Sequence, residues 1–595
     1  MKEFLGRMDL GDFNAADYIE SKRDDVTALP NIAIAFSGGG YRALMNGAGA
    51  LKAFDSRTDG ATGGGQLGGL FQASTYVSGL SGGSWLVGSM YVNNFTTIST
   101  LQTEDSSSVW EFSSSILKGP AKEGLSILNR ASYFDDLNDS VQSKEDAGYD
   151  TTITDYWSRA LSYQLINATD GGPAYTWSSI AEDAAFAAAE APMPIVVADG
   201  RAPGEKLISI NTTEFEFNPF EFGSFDPTTY AFAPLKYIGS KFVAGQLPPN
   251  ESCVRGFDNA AYVMGTSSSL FNQFLLQSQS YGGSLNQAAQ FLIKKVLKLM
   301  DAGSEDIADY SPNPFYLFNN ETNLSANSTR LTLVDGGEDL QNIPFAPVIL
   351  PQRAVDVVFA VESSADTEFN WPNGTAMVAT YQRSQLPENS IANGTAFPSI
   401  PDQNTFVNLG FNNRPTFFGC NATNTTRPTP LVVYIPNAPY IFNSNVSTFD
   451  LQHDNVVRDA VILNGYNVAT QANGTLDTSW GTCVACAVLS RSFDRTQTPV
   501  PDACKTCFDK YCWDGRLNST EPAQKYEPPF KAAVDQQVVI PPSTDGGDKG
   551  NDKPQKSDGA LAAGSNAVIE AGKAFANTVT SFWDSLTGND EPPAA

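Results

Sequence analysis

Short apolar runs separated by glycine-rich turns form the main pattern of this chain. Three of the runs are four to seven residues long and predict buried strands at 31–36, 331–334 and 355–361. A fourth strand, at 75–79, leads into a sharp turn and an apolar helix. The residues after Phe36 also combine a glycine turn with a helical pattern. Strand, turn, helix and strand in this order predict an α/β core.

Helical patterns are also present outside this core. We expect helices over Ala15–Lys22 and Ser284–Met300, where apolar residues recur at helical spacing. The segment from 100 to 330 alternates such stretches with loops, and we expect part of it to form a cap over the functional site.

The composition changes beyond residue 535. Residues 536–560 are rich in Pro, Gly, Asp and Lys and predict a linker between a domain over 1–535 and a tail over 561–595. The tail has an amphipathic helical pattern, which favours docking on the protein over a peripheral membrane helix. No stretch has the long apolar run of a bilayer-spanning helix or of a glycolipid-anchor signal. The apolar face of the tail is formed by Val568, Ala571, Phe575, Val579, Phe582 and Leu586.

The charge balance argues against some functions. The 595 residues include 37 Lys and Arg but 65 Asp and Glu, so the formal net charge is −28. Nucleic-acid binding depends on Lys and Arg side chains that neutralise phosphates, and this balance argues against it. Broad electrostatic adhesion to anionic membranes is disfavoured for the same reason. With 41% hydrophobic and 11% aromatic residues, the chain has the composition of a folded protein with an ample core.

Glycosylation sequons and cysteines indicate the secretory pathway. The density of N-x-[ST] sequons is that of a glycoprotein, and the 7 Cys residues point the same way if they pair. Met1–Leu10 carries charges and lacks the apolar region of a signal peptide, and the cysteine count is odd. We therefore expect a secreted or cell-surface protein from which an N-terminal segment has been lost. The sequon asparagines are Asn94, Asn138, Asn167, Asn211, Asn250, Asn320, Asn323, Asn327, Asn373, Asn393, Asn421, Asn424, Asn445, Asn473 and Asn518.

Four of the cysteines allow two interpretations. Cys483-x-x-Cys486 and Cys504-x-x-Cys507 have the spacing of a structural zinc site. Cys512 lies close by, and the sequons imply oxidising conditions, both of which favour disulfides. We expect disulfides rather than a metal.

One turn has the form of a nucleophile elbow. Gly79-Leu80-Ser81-Gly82-Gly83 follows a strand and precedes a helix, so the Ser81 hydroxyl is expected to point outward at the helix N-terminus. The glycines let the backbone and a substrate approach closely. Because Gly and Ser are common, the match alone is also typical of an ordinary glycine-rich turn.

A nucleophilic serine needs a base, and the usual base is histidine. His453 is the one histidine of the chain, and its polar, loop-like surroundings are more typical of a surface or core residue. An aspartate acting directly on the serine is the alternative. Asp335 fits this role best, because it ends a strand and is followed by two glycines, although Asp-Gly is also an ordinary turn.

A second glycine turn offers a site for the oxyanion. Successive glycine amides form an anion-binding nest, and Gly38, Gly39 and Gly40 follow a strand. Neither nucleotide-binding glycine motif is present at this turn. Arg42 lies one helical turn further on and suits a phosphate, although a helix-surface arginine is the alternative.

Together these motifs resemble the fungal phospholipase B (lysophospholipase) family, which is related to the catalytic domain of cytosolic group IV phospholipase A and more distantly to patatin. The resemblance covers roughly residues 25–520. The five motifs that carry it, in register, are Ser37–Ala43, Gly79–Trp85, Glu216–Ser224, Val334–Gly337 and Leu350–Asp356.

The resemblance implies a fold and a site. The fold is an α/β architecture in which flanking helices and a helical or loop cap surround a central mixed β-sheet. The site is a Ser-Asp dyad with Ser81 as nucleophile and Asp335 as base, an oxyanion hole at Gly39 and Gly40, and Arg42 holding the substrate phosphate. The family uses no catalytic histidine, and we expect no cofactor and no metal. The membrane-targeting calcium domain of the cytosolic relatives has no counterpart, so calcium independence is expected.

The implied reaction is hydrolysis of fatty-acyl esters of lysophospholipids and diacyl phospholipids at a membrane or micelle surface, often with transacylase activity. Because a carboxylate base must be ionised, we expect activity to extend to mildly acid pH. Two alternatives stay open at this point. One is a catalytically silent glycoprotein of the same fold that binds lipid or the cell surface, and the other is an acylhydrolase for esters without phosphate.

Overall fold

A computed structural model describes residues 1–103, 109–116, 119, 127–205, 207–269, 307–387, 394–421, 429–533 and 537–538. The predicted helix over Ser284–Met300 and the predicted tail over 561–595 lie outside these residues. The same holds for the predicted linker over 536–560, apart from 537–538. The division into domain, linker and tail therefore stays a prediction.

Helices make up much of the described chain. The helix predicted over Ala15–Lys22 is confirmed as α2 (Ala15–Ser21), whose N-terminus is capped by the Asn14 side chain accepting from the Asp17 amide at 3.1 Å. No helix in the described ranges combines the length and apolar character needed to cross a bilayer. The α-helices are α1 (Lys2–Leu5), α2, α3 (Gly40–Phe54), α4 (Leu70–Ala73), α5 (Gly82–Val92), α6 (Ile98–Leu101), α7 (Ile127–Asp146), α8 (Ile153–Leu165), α9 (Ala184–Ala187), α10 (Ala260–Thr266), α11 (Thr375–Ser384), α12 (Gln403–Asn408), α13 (Asn455–Thr470), α14 (Trp480–Thr496) and α15 (Asp502–Tyr511).

The strands are short and mostly buried. Those predicted at 31–36, 331–334 and 355–361 are confirmed as β1, β8 and β9, within two residues at each end. The strands are β1 (Ile32–Phe36), β2 (Tyr76–Gly79), β3 (Met193–Gly200), β4 (Glu214–Phe217), β5 (Glu221–Ser224), β6 (Ala231–Pro234), β7 (Ala308–Tyr310), β8 (Leu331–Asp335), β9 (Val357–Glu362), β10 (Thr416–Phe418) and β11 (Leu431–Pro436).

One mixed sheet contains every strand of the described residues. Its main path runs in the order β10-β11-β9-β1-β2-β3-β4-β5-β6, while β8 pairs with β3 and β7 pairs with β8. The strands from β11 through β9, β1 and β2 to β3 are parallel. The remaining pairs are antiparallel. The expected central mixed sheet is therefore confirmed.

The sheet is covered on both faces. All five residues of β1 are buried, and they alternate between two apolar clusters. Ile32, Ile34 and Phe36 belong to the cluster that includes α3, α13 and α14, whereas Ala33 and Ala35 belong to the one that includes α11 and α12. A strand buried on both sides needs no polar alternation, which explains its continuous apolar sequence.

Two glycines bring helices α3 and α13 into close contact. A Cβ atom on Gly49 would overlap the carbonyl oxygen of Ile462, and one on Gly465 would overlap that of Asn46. Only glycine leaves room for main chains to approach this closely. This contact fixes α3, whose N-terminus carries the second glycine turn.

Six cysteines form three disulfides, and this confirms the expectation of disulfides. Cys483 pairs with Cys507 and Cys486 with Cys504, so these two bonds join α14 to α15. The zinc interpretation of the two C-x-x-C motifs is therefore wrong, because their sulfurs bond to one another. The third disulfide joins Cys420 to Cys512, and the remaining cysteine, Cys253, is free and exposed.

Candidate active site

Ser81 occupies a strained turn between β2 and α5. Its main chain has φ 51° and ψ −121°, a conformation that residues with a Cβ atom rarely adopt. The flanking glycines allow the sharp turn: a Cβ on Gly79 would lie 2.6 Å from the Gly83 carbonyl oxygen, and one on Gly83 would overlap that of Phe36. The main chain therefore has the form of the predicted elbow.

A serine-rich turn after α10 holds this elbow in place. The Ser81 amide donates to Ser267, to its carbonyl oxygen at 3.1 Å and its hydroxyl at 3.0 Å. The Ser267 hydroxyl in turn donates to the carbonyl oxygen of Val197 in β3 at 2.6 Å. Two residues later, the Ser269 carbonyl accepts from the Asp335 amide at 3.4 Å. The same turn thus contacts the backbones of both predicted dyad residues.

The pairing of β3 explains why Ser81 and Asp335 come together. β2 ends at the pair Gly79–Val196, and β8 ends at the pair Asp335–Ala198. Since β4 pairs with both Val196 and Ala198, it occupies one edge of β3, and β2 and β8 share the other. They run in opposite directions along this edge, so their C-terminal ends face each other.

This arrangement differs from the usual α/β site. In open parallel sheets, functional groups meet because neighbouring strands end at the same edge of the sheet. β8 is antiparallel to β3, so Asp335 instead reaches the site from the opposite direction. Glu362 is the last residue of β9 and is buried.

The Asp335 carboxyl is buried and only partly hydrogen-bonded. Its Oδ1 accepts from the Gly337 amide at 2.8 Å, while Oδ2 has no well-formed hydrogen bond to another described residue. Burial raises the pKa of Asp335 to about 7, against smaller lowering contributions from hydrogen bonds of the Gly337 amide and the Ser81 side chain. A carboxyl with this pKa can exchange a proton near neutral pH.

The second glycine turn lies directly against Ser81. A Cβ on Gly38 would lie 3.1 Å from the Cβ of Ser81, and one on Gly82 would overlap the main chain of Gly40. Gly39 and Gly40 have φ values of 132° and 59°, which favour glycine. Within the described residues, neither of their amides donates a hydrogen bond.

Arg42 is fully buried beside this turn. Its guanidinium donates to the carbonyl oxygens of Ser363 at 2.8 Å and Val446 at 2.7 Å, and to the Thr448 hydroxyl at 2.9 Å. Burial lowers the pKa of Arg42 to about 10, although nearby acidic groups raise it. Those groups are Asp366, Glu362 and Asp450. The helix-surface alternative for Arg42 is wrong, and a phosphate at this guanidinium has to compete with protein acceptors.

His453 is a core histidine. It is buried, its ring packs edge-on against Tyr41 at a centroid distance of 5.5 Å, and its amide donates to the Phe112 carbonyl oxygen at 2.7 Å. Burial lowers its pKa to about 4, so the ring is neutral at neutral pH. No hydrogen bond joins it to Ser81 or Asp335 in the described ranges.

Nothing in the sequence indicates the role of the Ser267–Ser269 turn. These serines form no recognisable motif, and their contacts depend on residues far away in the chain. No group of three or more His, Cys, Asp or Glu side chains in the described part of the chain is placed to hold a metal ion.

The chain is similar to a family of known proteins over most of its length. Residues 32–518 match the family model described as "Lysophospholipase catalytic domain". The chain is 62% identical over 528 residues to Lysophospholipase 1 of Aspergillus fumigatus, which covers 89% of this chain and 83% of that protein. It is 58% identical over 533 residues to a lysophospholipase of Penicillium chrysogenum, with 90% and 86% covered.

A solved structure has the same fold at low sequence identity. Human GIVD cytosolic phospholipase A2 superposes with a TM-score of 0.56 at 17% identity. The match covers 82% of this chain and 63% of that chain. The same human protein has also been solved with methyl gamma-linolenyl fluorophosphonate, and that structure matches with a TM-score of 0.53.

Proposed function

The chain belongs to the lysophospholipase catalytic-domain family, and from this we propose that it hydrolyses fatty-acyl esters of lysophospholipids and diacyl phospholipids. In this proposal Ser81 is the nucleophile and Asp335 is its base. Gly39 and Gly40 provide the amides of the oxyanion hole. No cofactor or metal takes part in the scheme.

The observation that best supports this proposal is the meeting of β2 and β8 on one edge of β3. It brings a strained serine and a partly unsatisfied carboxyl together, and the glycine turn after β1 lies directly against that serine. A nucleophile, a base and an oxyanion site are the three components that acyl transfer needs. Each has an ordinary structural explanation alone, but their combination is that of a serine acyl hydrolase.

Acylation follows from these roles. The Ser81 hydroxyl attacks the ester carbonyl carbon, and its proton passes to Asp335 as the Oγ–C bond forms. The carbonyl oxygen takes the negative charge and is stabilised by the amides of Gly39 and Gly40. When the tetrahedral intermediate collapses, the ester C–O bond breaks. The leaving alcohol takes the proton from Asp335 and an acyl-enzyme remains.

Deacylation repeats the steps with water. Asp335 takes a proton from the water as its oxygen attacks the acyl-enzyme carbonyl, and the second tetrahedral intermediate releases the fatty acid. The proton returns to Ser81 Oγ, which restores the free enzyme. A second lipid alcohol in place of water gives a transacylation product by the same route.

We propose that Arg42 recognises the phosphate of the substrate at a lipid surface. The guanidinium lies beside Gly39, since a Cβ there would lie 2.6 Å from Nη2. A phosphate oxygen replacing the Thr448 hydroxyl is the simplest way for this contact to form. The hydrogen bond between the guanidinium and the charged phosphate compensates for the lost bond to the neutral Thr448 hydroxyl.

We further propose that the protein works outside the cell as a glycoprotein. The three disulfides are consistent with this location, because such bonds persist under oxidising conditions. Of the sequon asparagines in the described ranges, most are exposed. The exposed ones are Asn94, Asn138, Asn167, Asn211, Asn250, Asn320, Asn327, Asn421, Asn473 and Asn518.

The test is turnover of palmitoyl lysophosphatidylcholine, with labelling by methyl gamma-linolenyl fluorophosphonate. Wild type is expected to release fatty acid and to take up one label, on Ser81. Ser81→Ala is expected to lose labelling, and both Ser81→Ala and Asp335→Asn to lose at least a thousandfold in kcat. Ser490→Ala, which removes a buried hydroxyl bonded to the Ala487 carbonyl on α14, is the control and is expected to stay active.

Two results contradict the proposal. Turnover by folded Ser81→Ala or Asp335→Asn at the wild-type rate excludes the dyad. Absence of both turnover and labelling in folded wild type favours the silent glycoprotein of the same fold.

A further inference from the structure

Asn342 joins three loops of the proposed site. It lies seven residues after Asp335 and is half-buried. Its Nδ2 donates to the Gly38 carbonyl oxygen at 3.2 Å and to the Ser364 hydroxyl at 2.6 Å. The main-chain carbonyl oxygen of Asn342 accepts a hydrogen bond from the Gly38 amide at 2.9 Å. The residue thus links the loop after β8 to the glycine turn after β1 and to the end of β9.

The surrounding bonds fix the orientation of the Asn342 amide. The Ser364 hydroxyl donates to Oε1 of Glu362 at 2.6 Å, so its oxygen is left to accept from Asn342. Both Nδ2 hydrogens are then used, one for Ser364 and one for Gly38. Oδ1 then lies 2.6 Å from where a Cβ on Gly337 would be, and it would also overlap a Cβ on Gly38.

The Gly38 carbonyl belongs to the peptide unit that also contains the Gly39 amide. In a planar trans peptide the C=O and N–H bonds point in opposite directions, so holding the oxygen also sets the direction of the hydrogen. Gly39 has φ 132°, and a residue without a Cβ resists rotation of this unit only weakly. The Ser37 hydroxyl also donates to the Gly38 carbonyl oxygen, at 3.2 Å. The side chain of Asn342 is the contact that ties this peptide to the loop carrying Asp335.

We propose that Asn342 is a positioning residue that aims the Gly39 N–H at the oxyanion. This inference rests on the proposed function, because it assigns a task within the same acyl transfer. The amide side chain does not touch the substrate. It keeps the oxyanion donor aligned with the Ser81–Asp335 pair through one bond on the far side of the peptide.

The proposal makes a specific kinetic prediction. An oxyanion-hole donor acts mainly in the transition state, so a misaligned donor lowers kcat and leaves KM nearly unchanged. Removing such a donor outright costs about a hundredfold to a thousandfold in kcat, so misalignment in Asn342→Ala is expected to cost roughly tenfold to a hundredfold. The pH midpoint of kcat/KM is expected to stay at the wild-type value, because the Asp335 surroundings are retained.

Three variants test the assignment on palmitoyl lysophosphatidylcholine. Asn342→Asp keeps the side-chain shape but puts an accepting carboxylate oxygen where the Nδ2 group donates. It is expected to lower kcat at least as much as Asn342→Ala does. Ser364→Ala leaves the hydrogen bond from Asn342 Nδ2 to the Gly38 carbonyl oxygen in place, and its kcat is expected to fall less than fivefold. The control is Asn412→Ala, which removes a buried Asn side chain that donates to the Pro372 carbonyl oxygen at 2.9 Å, and it is expected to retain kcat.

Several outcomes overturn the inference. One is kcat within twofold of wild type in folded Asn342→Ala or Asn342→Asp. Another is a loss of kcat in Asn342→Ala that comes with a shifted KM and a shifted pH midpoint, which indicates general distortion. If neither variant folds, Asn342 is a structural residue and the assignment is wrong. Wild type and Ser81→Ala are measured in the same assay. If wild type is active and Ser81→Ala is inactive, the proposed function stands even when the Asn342 prediction fails.

Discussion

The buried carboxyl of Asp335 is expected to set the pH dependence of the proposed reaction. Its pKa is raised to about 7 by burial, and a base acts only when ionised. We therefore expect kcat/KM to fall about tenfold per pH unit below pH 7 and to level off above it. A pH–rate profile on a lysophospholipid measures this, and a midpoint at pH 5 or below contradicts it. The sequence predicted activity extending to mildly acid pH, because it does not reveal how deeply Asp335 is buried.

The same raised pKa predicts a cost in stability. An Asp that binds its proton more tightly in the folded than in the unfolded state loses stability as pH rises from about 4 to about 7. Asp335→Asn cannot ionise, so its free energy of unfolding is expected to exceed that of wild type by up to about 4 kcal/mol at pH 8. The difference is expected to vanish near pH 3. Melting temperatures of both proteins at the two pH values test this, and an equal difference at both contradicts it.

Arg42 allows a prediction about substrate choice. If its guanidinium binds phosphate, Arg42→Ala is expected to lower kcat/KM at least tenfold more for palmitoyl lysophosphatidylcholine than for monopalmitoyl glycerol, which lacks phosphate. Arg491→Ala is the matched control, because Arg491 is also largely buried and donates to the carbonyl oxygens of Thr429 and Gly419. Equal losses on the two substrates indicate that Arg42 has only a structural role.

At the scale of elements, the glycine turn after β1 has no room for a side chain. A Cβ on Gly38 would overlap Oδ1 of Asn342 and lie 2.9 Å from Cδ2 of Leu80. Gly38→Ala is therefore expected to lower kcat by at least a hundredfold, by moving the turn away from Ser81. Gly64→Ala is the control, since nothing lies within 4 Å of its Cβ position. Turnover by Gly38→Ala within threefold of Gly64→Ala contradicts this account.

The elements themselves were largely predictable from the sequence. β1, β8 and β9 are continuous apolar runs, and the two glycine turns have recognisable motifs, so local pattern was sufficient. The direction of β8 was not predictable, because strand pairing depends on residues far away in the chain. For the same reason the contacts of Ser267, Asn342 and Arg42 could not be derived from their neighbours in sequence.

At the scale of the whole molecule, neighbouring sequon asparagines differ in their exposure to solvent. Asn320 and Asn327 are exposed, whereas Asn323 is buried and donates to the carbonyl oxygens of Phe315 at 3.2 Å and Phe318 at 3.0 Å. A glycan on Asn323 replaces one of the two Nδ2 hydrogens that make these bonds, and the buried side chain leaves no space for a sugar. Glycopeptide mass spectrometry of secreted protein is therefore expected to find Asn323 unmodified and its two neighbours occupied. A glycan on Asn323 in active protein contradicts the described packing.

The cysteine pairing also belongs to this scale. Oxidising conditions could be inferred from sequons and cysteine number, but four cysteines allow three pairings and larger sets many more. The observed pattern, in which Cys483 bonds to Cys507 and Cys486 to Cys504, depends on two helices lying side by side. Only the folded chain determines that arrangement.

The edge of β3 shared by β2 and β8 also bears on how this fold tolerates changes in length. The two strand ends are separated by the rise from Val196 to Ala198, about 7 Å for two residues. Insertions in the segments that connect Ser81 to β3, or β3 to β8, leave this spacing unchanged, because both strands are anchored to β3. One residue added between Val196 and Ala198 instead widens the gap and reverses the face on which every later β3 side chain lies. Length changes in the connecting segments therefore leave the proposed site intact, whereas β3 has to keep its residue count.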